Sequence, residues 1–157
     1  MSSVPSDVPG QPDSTAVTAA PTCVGEIMTR EVVTLSPQHF FPQALALLAR
    51  YHFRHLLVVD TNNRLAGIVL DRDLLRYMTR EPHPDTATMS EVMRVNPVTV
   101  RPDTPLSTAV AEILTRRINC LPVVDEEQRV CGILTATDLL RAFQRVQKWI
   151  EQTTKAT

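Results

Sequence analysis

Aromatic side chains are scarce in this sequence: Phe, Trp and Tyr together make up 4% of its 157 residues. A hydrophobic core must therefore be built from aliphatic side chains, and the aromatic platforms that stack on single-stranded nucleic acids are lacking. Excess positive charge is lacking too, because 16 Lys and Arg residues face 17 Asp and Glu residues. No apolar stretch approaches the roughly 20 residues that cross a bilayer as a helix. We therefore expect neither a nucleic-acid partner nor a membrane span.

Cysteine and histidine are also few, and their spacing matches no common metal or disulfide pattern. Three cysteines, an odd number without a C-x-x-C pair, favour a reducing compartment, so we expect free thiols and a cytoplasmic location. The four histidines show no pattern such as H-E-x-x-H, so we expect no metal site. No Ser/His/Asp set and no cysteine with an evident base is present, so we expect a protein that is not an enzyme.

Most of the sequence consists of two copies of one unit. Residues 24–76 align with residues 89–141 at a constant offset of 65 and without a gap, and 18 of the 53 pairs are identical. An internal duplication explains this self-similarity. Each unit is about 55 residues long, which is small for an independently stable domain, so we expect the two units to share a core.

Hydrophobic spacing and turn residues predict the same β-α-β-β-α order in both repeats. In the first repeat we predict a strand at Val32–Leu35, a helix from Phe41 to Tyr51, a hairpin of His55–Asp60 with Arg64–Leu70, and a helix from Asp73. In the second we predict a strand at Val98–Arg101, a helix capped by Thr104 with Pro105 at its first position, a hairpin of Cys120–Asp125 with Arg129–Thr135, and a helix from Asp138 through Ile150. The second hairpin then pairs Cys120 with Thr135.

The segments outside the repeats have a different composition. Residues 1–22 are rich in Pro, Ser, Thr and Ala and contain no Lys or Arg, so we predict a disordered arm without a signal or transit peptide. The predicted organisation is this arm at 1–22, the first repeat at 24–78, a linker at 79–88, the second repeat at 89–144, and a C-terminal helix and tail at 145–157.

In each repeat the last strand runs directly into a helix start, at Gly67–Asp73 and again at Gly132–Asp138. A helix N-terminus attracts anions through its unpaired N–H groups. Thr135 could therefore hold a phosphate, and Asp138 could accept both hydroxyls of a ribose. A Thr-x-x-Asp sequence is also a capping box that stabilises its own helix and binds nothing, and this alternative stays open.

The sequence resembles a tandem pair of cystathionine-β-synthase (CBS) domains, also called a Bateman module. The resemblance covers residues 24–144 and is carried by Met28-Thr29, Thr34, Leu57–Asp60, Gly67–Val69 and Asp73, and again by Met93, Thr99, Leu121–Asp125 and Gly132–Asp138. It implies an α/β (α+β) fold in which two β-α-β-β-α repeats pack sheet to sheet with pseudo-twofold symmetry. It also implies clefts between the repeats that bind adenosine-containing ligands such as AMP, ADP, ATP or S-adenosylmethionine.

The resemblance also implies roles for individual residues. Asp138 holds the ribose and Thr135 the phosphate, with Gly132 completing the motif. Asp73 matches the ribose position of the first repeat, but Leu70 replaces the hydroxyl, and Arg72 offers a compensating charge. The adenine pocket draws on Val33, Thr34, Val98, Thr99, His55, Leu56, Cys120 and Leu121, with plain core packing as the alternative for several of them. We therefore predict unequal clefts, with the cleft of Thr135 and Asp138 dominant.

These observations predict a regulatory module that senses an adenosyl ligand, has no obligatory cofactor, and acts through a regulated partner protein or a homodimer. We expect no catalytic domain, because the arm and the C-terminal helix are too short to form one. A ligand-free interaction scaffold is the alternative, because duplicated folds readily change function. The candidate dimer contacts are Leu139, Leu140, Phe143 and Val146.

Overall fold

The computed structural model describes residues 20–156. Residues 1–19 of the predicted disordered arm lie outside the described residues. The end of the arm belongs to the folded unit, because the Thr22 carbonyl accepts a hydrogen bond of 2.9 Å from the Leu106 amide. Within residues 20–156, no helix is both long and apolar enough to cross a membrane.

The first repeat follows the predicted order of elements, and the second follows it except for its opening strand. The first contains β1 (Thr34–Leu35), α1 (Phe41–Tyr51), β2 (His55–Val59), β3 (Leu65–Leu70) and α2 (Asp71–Arg80). The second contains α3 (Met89–Val92), β4 (Arg94–Val95), α4 (Leu106–Arg116), β5 (Cys120–Val124), β6 (Val130–Thr135) and α5 (Ala136–Lys155). Short 3-10 helices lie at Val24–Glu26 and Pro84–Thr86.

The bounds predicted for α1 agree with the structure, and both predicted hairpins are present. Several helices, however, start at a residue other than the one predicted. The pairing of Cys120 with Thr135 is confirmed by the register of β5 with β6. Helices α2 and α5 start two residues before Asp73 and Asp138, because both carboxylates occupy the third helical position and bond back to the residue before the helix. Helix α4 starts after Pro105, and the Thr104 hydroxyl instead accepts a hydrogen bond of 2.9 Å from the Arg101 amide.

The predicted opening strand of each repeat is shorter than expected. In the first repeat it is reduced to Thr34–Leu35, which pairs in parallel with β2. In the second repeat the structure has no regular strand at Val98–Arg101 and retains only an isolated bridge between Val100 and Val123. Pro122 explains the difference, because proline has no N–H to donate to the neighbouring strand, whereas Leu57 at the equivalent position has one.

The two repeats exchange their leading segments. Strand β4 precedes the body of the second repeat but pairs with β3 of the first, which makes a four-stranded sheet in the order β1-β2-β3-β4. In the same way Thr29, ahead of the first repeat, bridges to Ile133 in β6 of the second. Both contacts pass over a glycine, Gly67 or Gly132, where the crossing backbone lies too close for a side chain.

The two sheets also pack on each other. Leu57, Ile68, Cys120 and Ile133 form a buried cluster between them. Each repeat has its own aliphatic core in addition, centred on residues such as Leu56 and Leu74 in the first and Leu121 and Leu134 in the second. The predicted architecture of two repeats packed sheet to sheet is therefore confirmed.

Candidate functional site

A cleft of about 430 Å³ opens between the two repeats, and we refer to it as the first cleft. The first repeat contributes the start of β2, the end of β3 and the start of α2. The second contributes β4, the segment that follows it, and the start of β5. A volume of this size is typical of small-ligand sites. The lining residues are Arg54, His55, Ile68, Leu70, Asp71, Arg72, Arg94, Val95, Asn96, Pro97, Val98, Ile118, Asn119, Cys120 and Pro122.

Positive charge dominates the polar part of the first cleft. Arg54, Arg72 and Arg94 line it, against the single carboxylate of Asp71 among its lining residues. Within residues 20–156, the side chains of Arg54 and Arg72 have no hydrogen-bond or ion-pair partner. An anion that entered the cleft would therefore meet two guanidinium groups whose donors are unused.

The remaining lining of the first cleft is largely aliphatic. Ile68 and Leu70 come from β3, and Val98, Ile118 and Pro122 come from the second repeat. Because these side chains carry no polar atoms, they suit the flat face of a group such as a purine base. The arrangement combines an apolar surface with a few converging charged groups, as ligand pockets do.

Two titratable side chains in the first cleft are held uncharged by burial. Burial lowers the pKa of His55, and the neighbouring Arg54 and Arg72 lower it further, while Asp71 partly opposes them. A neutral imidazole near pH 7 can both donate and accept a hydrogen bond. Burial raises the pKa of the Cys120 thiol to about 12, so this side chain stays protonated and is not a nucleophile.

Asp73, the predicted ribose-binding residue of the first repeat, is engaged by an arginine. Arg94 Nε donates to Asp73 Oδ2 at 2.9 Å, and Arg94 Nη2 donates to Asp73 Oδ1 at 2.6 Å. Asp73 Oδ2 also accepts a weaker bond of 3.4 Å from the Leu70 amide. Arg94 lines the first cleft, whereas Asp73 is not among the lining residues.

The equivalent carboxylate of the second repeat, Asp138, is buried and fully partnered. Its Oδ2 atom accepts from the Thr135 amide at 2.8 Å and from the Thr135 hydroxyl at 3.0 Å. Its Oδ1 atom accepts from the Thr29 hydroxyl at 3.0 Å. Thr135 and Asp138 therefore form the capping box that was the structural alternative to a ligand site.

The predicted site residues divide into those that share the first cleft and those that do not. His55, Arg72, Val98 and Cys120 lie together in its lining. Leu56 and Leu121 are completely buried in the two cores, as the packing alternative for them anticipates. The other predicted residues lie outside the lining of this cleft: Val33, Thr34, Asp73, Thr99, Gly132, Thr135 and Asp138.

Several residues of the first cleft were not predicted from the sequence. Asp71 and Arg94 are the most informative, since they add charge to the site. Asn96 is a further one, and its backbone has φ 51°, a left-handed conformation that Asn tolerates better than most residues. The sequence does contain a signal for Arg94. It follows Met93, which aligns with Met28, and the residue that aligns with Arg94 is the neutral Thr29.

The family model described as CBS domain matches residues 24–80 and 89–145. Among solved structures, the CBS domain pair of protein MJ0100, in complex with 5′-methylthioadenosine and S-adenosylmethionine, is 28% identical with a TM-score of 0.71. That similarity covers 78% of this chain and 96% of the other. CBSX2 from Arabidopsis thaliana, in complex with AMP, is 30% identical with a TM-score of 0.72 and covers 80% of this chain and 98% of the other.

Similarity extends to domains within larger proteins. Homoserine O-acetyltransferase of Methanohalobium evestigatum is 28% identical over 123 residues, which is 78% of this chain and 24% of that enzyme. The chain spans about a quarter of the length of the curated relatives it matches first. The shared region is thus the CBS pair and a minor part of those proteins.

Proposed function

Because the chain belongs to the CBS-domain family, we propose that it is a regulatory module whose first cleft binds an adenosine phosphate. CBS pairs generally act as regulatory modules, and similar structures contain AMP, or S-adenosylmethionine with 5′-methylthioadenosine. One observation carries the proposal: a ligand-sized cleft that combines an aliphatic surface with three arginines. The bound state would then act through a regulated partner protein or through a homodimer.

Each part of an adenosine phosphate has a matching surface in the first cleft. In this proposal the adenine lies against Val98, Ile118 and Pro122, because placing the flat face of the base there releases water from aliphatic surface. The phosphate lies toward the unpartnered guanidinium groups of Arg54 and Arg72. The ribose hydroxyls bond to Asp71, whose Oδ1 atom accepts from the Arg72 amide at 2.7 Å.

The sequence predicts that the cleft of Thr135 and Asp138, which we call the second cleft, is dominant. This stays a prediction beside the present proposal. In the second repeat, Thr135 and Asp138 use their polar atoms on each other and on Thr29. A ligand there would have to displace these hydrogen bonds before gaining its own. The two hypotheses differ in which variants lose binding, and calorimetry separates them.

Titration of the full chain with AMP, ADP, ATP and S-adenosylmethionine tests the proposed function. We expect one dominant site per chain, and we expect Arg72→Ala to weaken AMP by roughly 10–100-fold, because it removes a charged hydrogen bond to phosphate. Arg76→Ala is the matched control, since Arg76 lies on the same helix but outside the cleft lining, and its affinity should equal that of the wild type. An absence of binding by all four ligands would favour the ligand-free scaffold instead.

We further propose that the module forms a homodimer through α2 and α5. Leu75 and Leu140 occupy the same position in the two repeats and are 62% and 68% exposed. Met78 and Phe143 form a second such pair, at 46% and 61%. Exposed apolar side chains recurring at equivalent positions are typical of a shared interface, and a second copy presents a matching surface.

Of the other predicted contacts, Leu139 packs on the core of its own chain and Val146 is half-buried.

Light scattering tests the homodimer. At micromolar concentration the wild type should have about twice the mass of the chain, and Leu140→Lys combined with Phe143→Glu should reduce it to the monomer mass, because charge is then placed in an apolar contact. Leu114→Lys is the matched control: Leu114 is 71% exposed but lies on α4, so its substitution should leave the dimer intact. A wild-type monomer would contradict the proposal.

A further inference from the structure

The segment exchange brings a charged residue of the second repeat into the cleft of the first. Arg94 lies in β4, which pairs with β3 across Gly67 and Ile68. Its side chain is 45% exposed, lines the first cleft, and is held by two hydrogen bonds to Asp73, whose side chain is 10% exposed. The guanidinium of a lining residue is thus held by a carboxylate that is not itself part of the cleft lining.

Comparison with the second repeat shows what Arg94 adds. Its counterpart is Thr29, which also comes from an exchanged segment and also bonds to the equivalent carboxylate, Asp138. Both residues bond to the equivalent carboxylate, but the first cleft has a cation where the second repeat has a neutral hydroxyl. A guanidinium has five N–H donors, and Asp73 uses two of those of Arg94, so three remain.

Resting on the proposed function, we propose that Arg94 binds the phosphate in the first cleft and that Asp73 is its positioning residue. The first cleft then selects anionic adenosine ligands and rejects the cationic sulfonium of S-adenosylmethionine. Asp73 consequently serves the guanidinium and not the ribose, which departs from the role that the family resemblance implies. Arg54 and Arg72 reinforce the selection, because like charges would oppose a cation in the same space.

The test compares AMP, adenosine and S-adenosylmethionine by calorimetry on the full chain. The main variant is Arg94→Thr, which introduces the residue that the second repeat carries at this position, and Arg76→Ala is the control. We expect Arg94→Thr to weaken AMP by roughly 10–100-fold and to change adenosine by less than about twofold. S-adenosylmethionine should bind the wild type more weakly than AMP does, and this difference should shrink in the variant.

A double-mutant cycle tests the role of Asp73. Asp73→Asn alone should weaken AMP by roughly 3–10-fold, because the guanidinium is no longer held by a charge. In the Arg94→Thr background the same substitution should have almost no further effect on AMP. A merely structural role would instead lower affinity for AMP and adenosine alike in both backgrounds, and that result would overturn the inference.

The outcomes separate this inference from the proposed function. If Arg94→Thr binds AMP as the wild type does, or loses adenosine as strongly as AMP, Arg94 is not the phosphate ligand, while the proposed function stands. If the wild type binds no adenosine ligand, the proposed function is wrong and this inference falls with it. Thermal unfolding of each variant is measured in parallel, to show that the variant is folded. Arg94→Lys provides a second variant, in which the positive charge at this position is kept.

Discussion

Gly67→Ala is expected to lower the free energy of unfolding by about 1–3 kcal/mol, toward the upper end of that range. A Cβ atom at this position would lie 2.7 Å from the Arg94 carbonyl oxygen and 2.8 Å from Met93 Sδ. The methionine side chain can move, but the carbonyl belongs to β4 and shifts only if the pairing of β4 with β3 is disturbed. Urea unfolding monitored by circular dichroism measures the loss, and a variant as stable as the wild type would contradict the described crossing.

Gly132→Ala is the matched variant in the other repeat. Its Cβ atom would lie 2.7 Å from the Thr29 carbonyl oxygen and 2.9 Å from Met28 Sδ, so a similar loss of stability is expected. The two variants should differ in ligand binding. Only Gly67→Ala moves the strand that carries Arg94, so only this variant should also weaken AMP, measured at a temperature where both proteins are folded.

Asp138→Ala is expected to lower the free energy of unfolding by about 2–3 kcal/mol. The substitution removes the carboxylate half of the capping box of α5 and leaves the Thr29 hydroxyl and the Thr135 amide without their acceptor. Asp73→Ala is the control at the equivalent position. Its partner Arg94 is half exposed to solvent, which screens the pair, so a loss of about 1 kcal/mol or less is expected.

The same variant distinguishes the two clefts. If the second cleft is dominant, Asp138→Ala abolishes binding of AMP, as the sequence alone predicts. If the first cleft binds the ligand, folded Asp138→Ala keeps its affinity within about threefold, because none of the first-cleft lining contacts is removed. Calorimetry at a temperature well below the transition of the variant decides between these results, and loss of binding would overturn the first-cleft proposal.

Local chemistry made much of the fold predictable from the sequence. Helix α1 has the predicted bounds, because its apolar spacing and Pro42 near its start leave little choice. The hairpins were predictable because polar turns separate apolar runs that contain β-branched residues, and the place of the turn predicts the pairing of Cys120 with Thr135. The missing strand at Val98–Arg101 depends on one partner, Pro122, whose effect is seen only when the neighbouring strand is known.

The composition of the first cleft was harder to predict, for a physical reason. One of its charges, that of Arg94, comes from a segment of the other repeat, and hydrophobic periodicity reports only which face of an element is buried. Asp73 and Asp138 are equivalent positions, each followed by Leu-Leu-Arg, yet one meets an arginine and the other a threonine. The difference comes from residues 94 and 29, which belong to the exchanged segments.

The exchange of leading segments bears on how such a chain could have originated. A single ancestral repeat, made as a separate polypeptide, would leave the edge of its hairpin at Gly67 unpaired unless a second identical copy supplied its own leading segment. Two such copies would form a swapped dimer with two identical clefts. Fusion of the genes would preserve every one of these contacts while freeing each half to mutate separately. The difference between Arg94 and Thr29, which occupy equivalent positions, is then a trace of that divergence, after which one cleft has a cation and the other a hydroxyl.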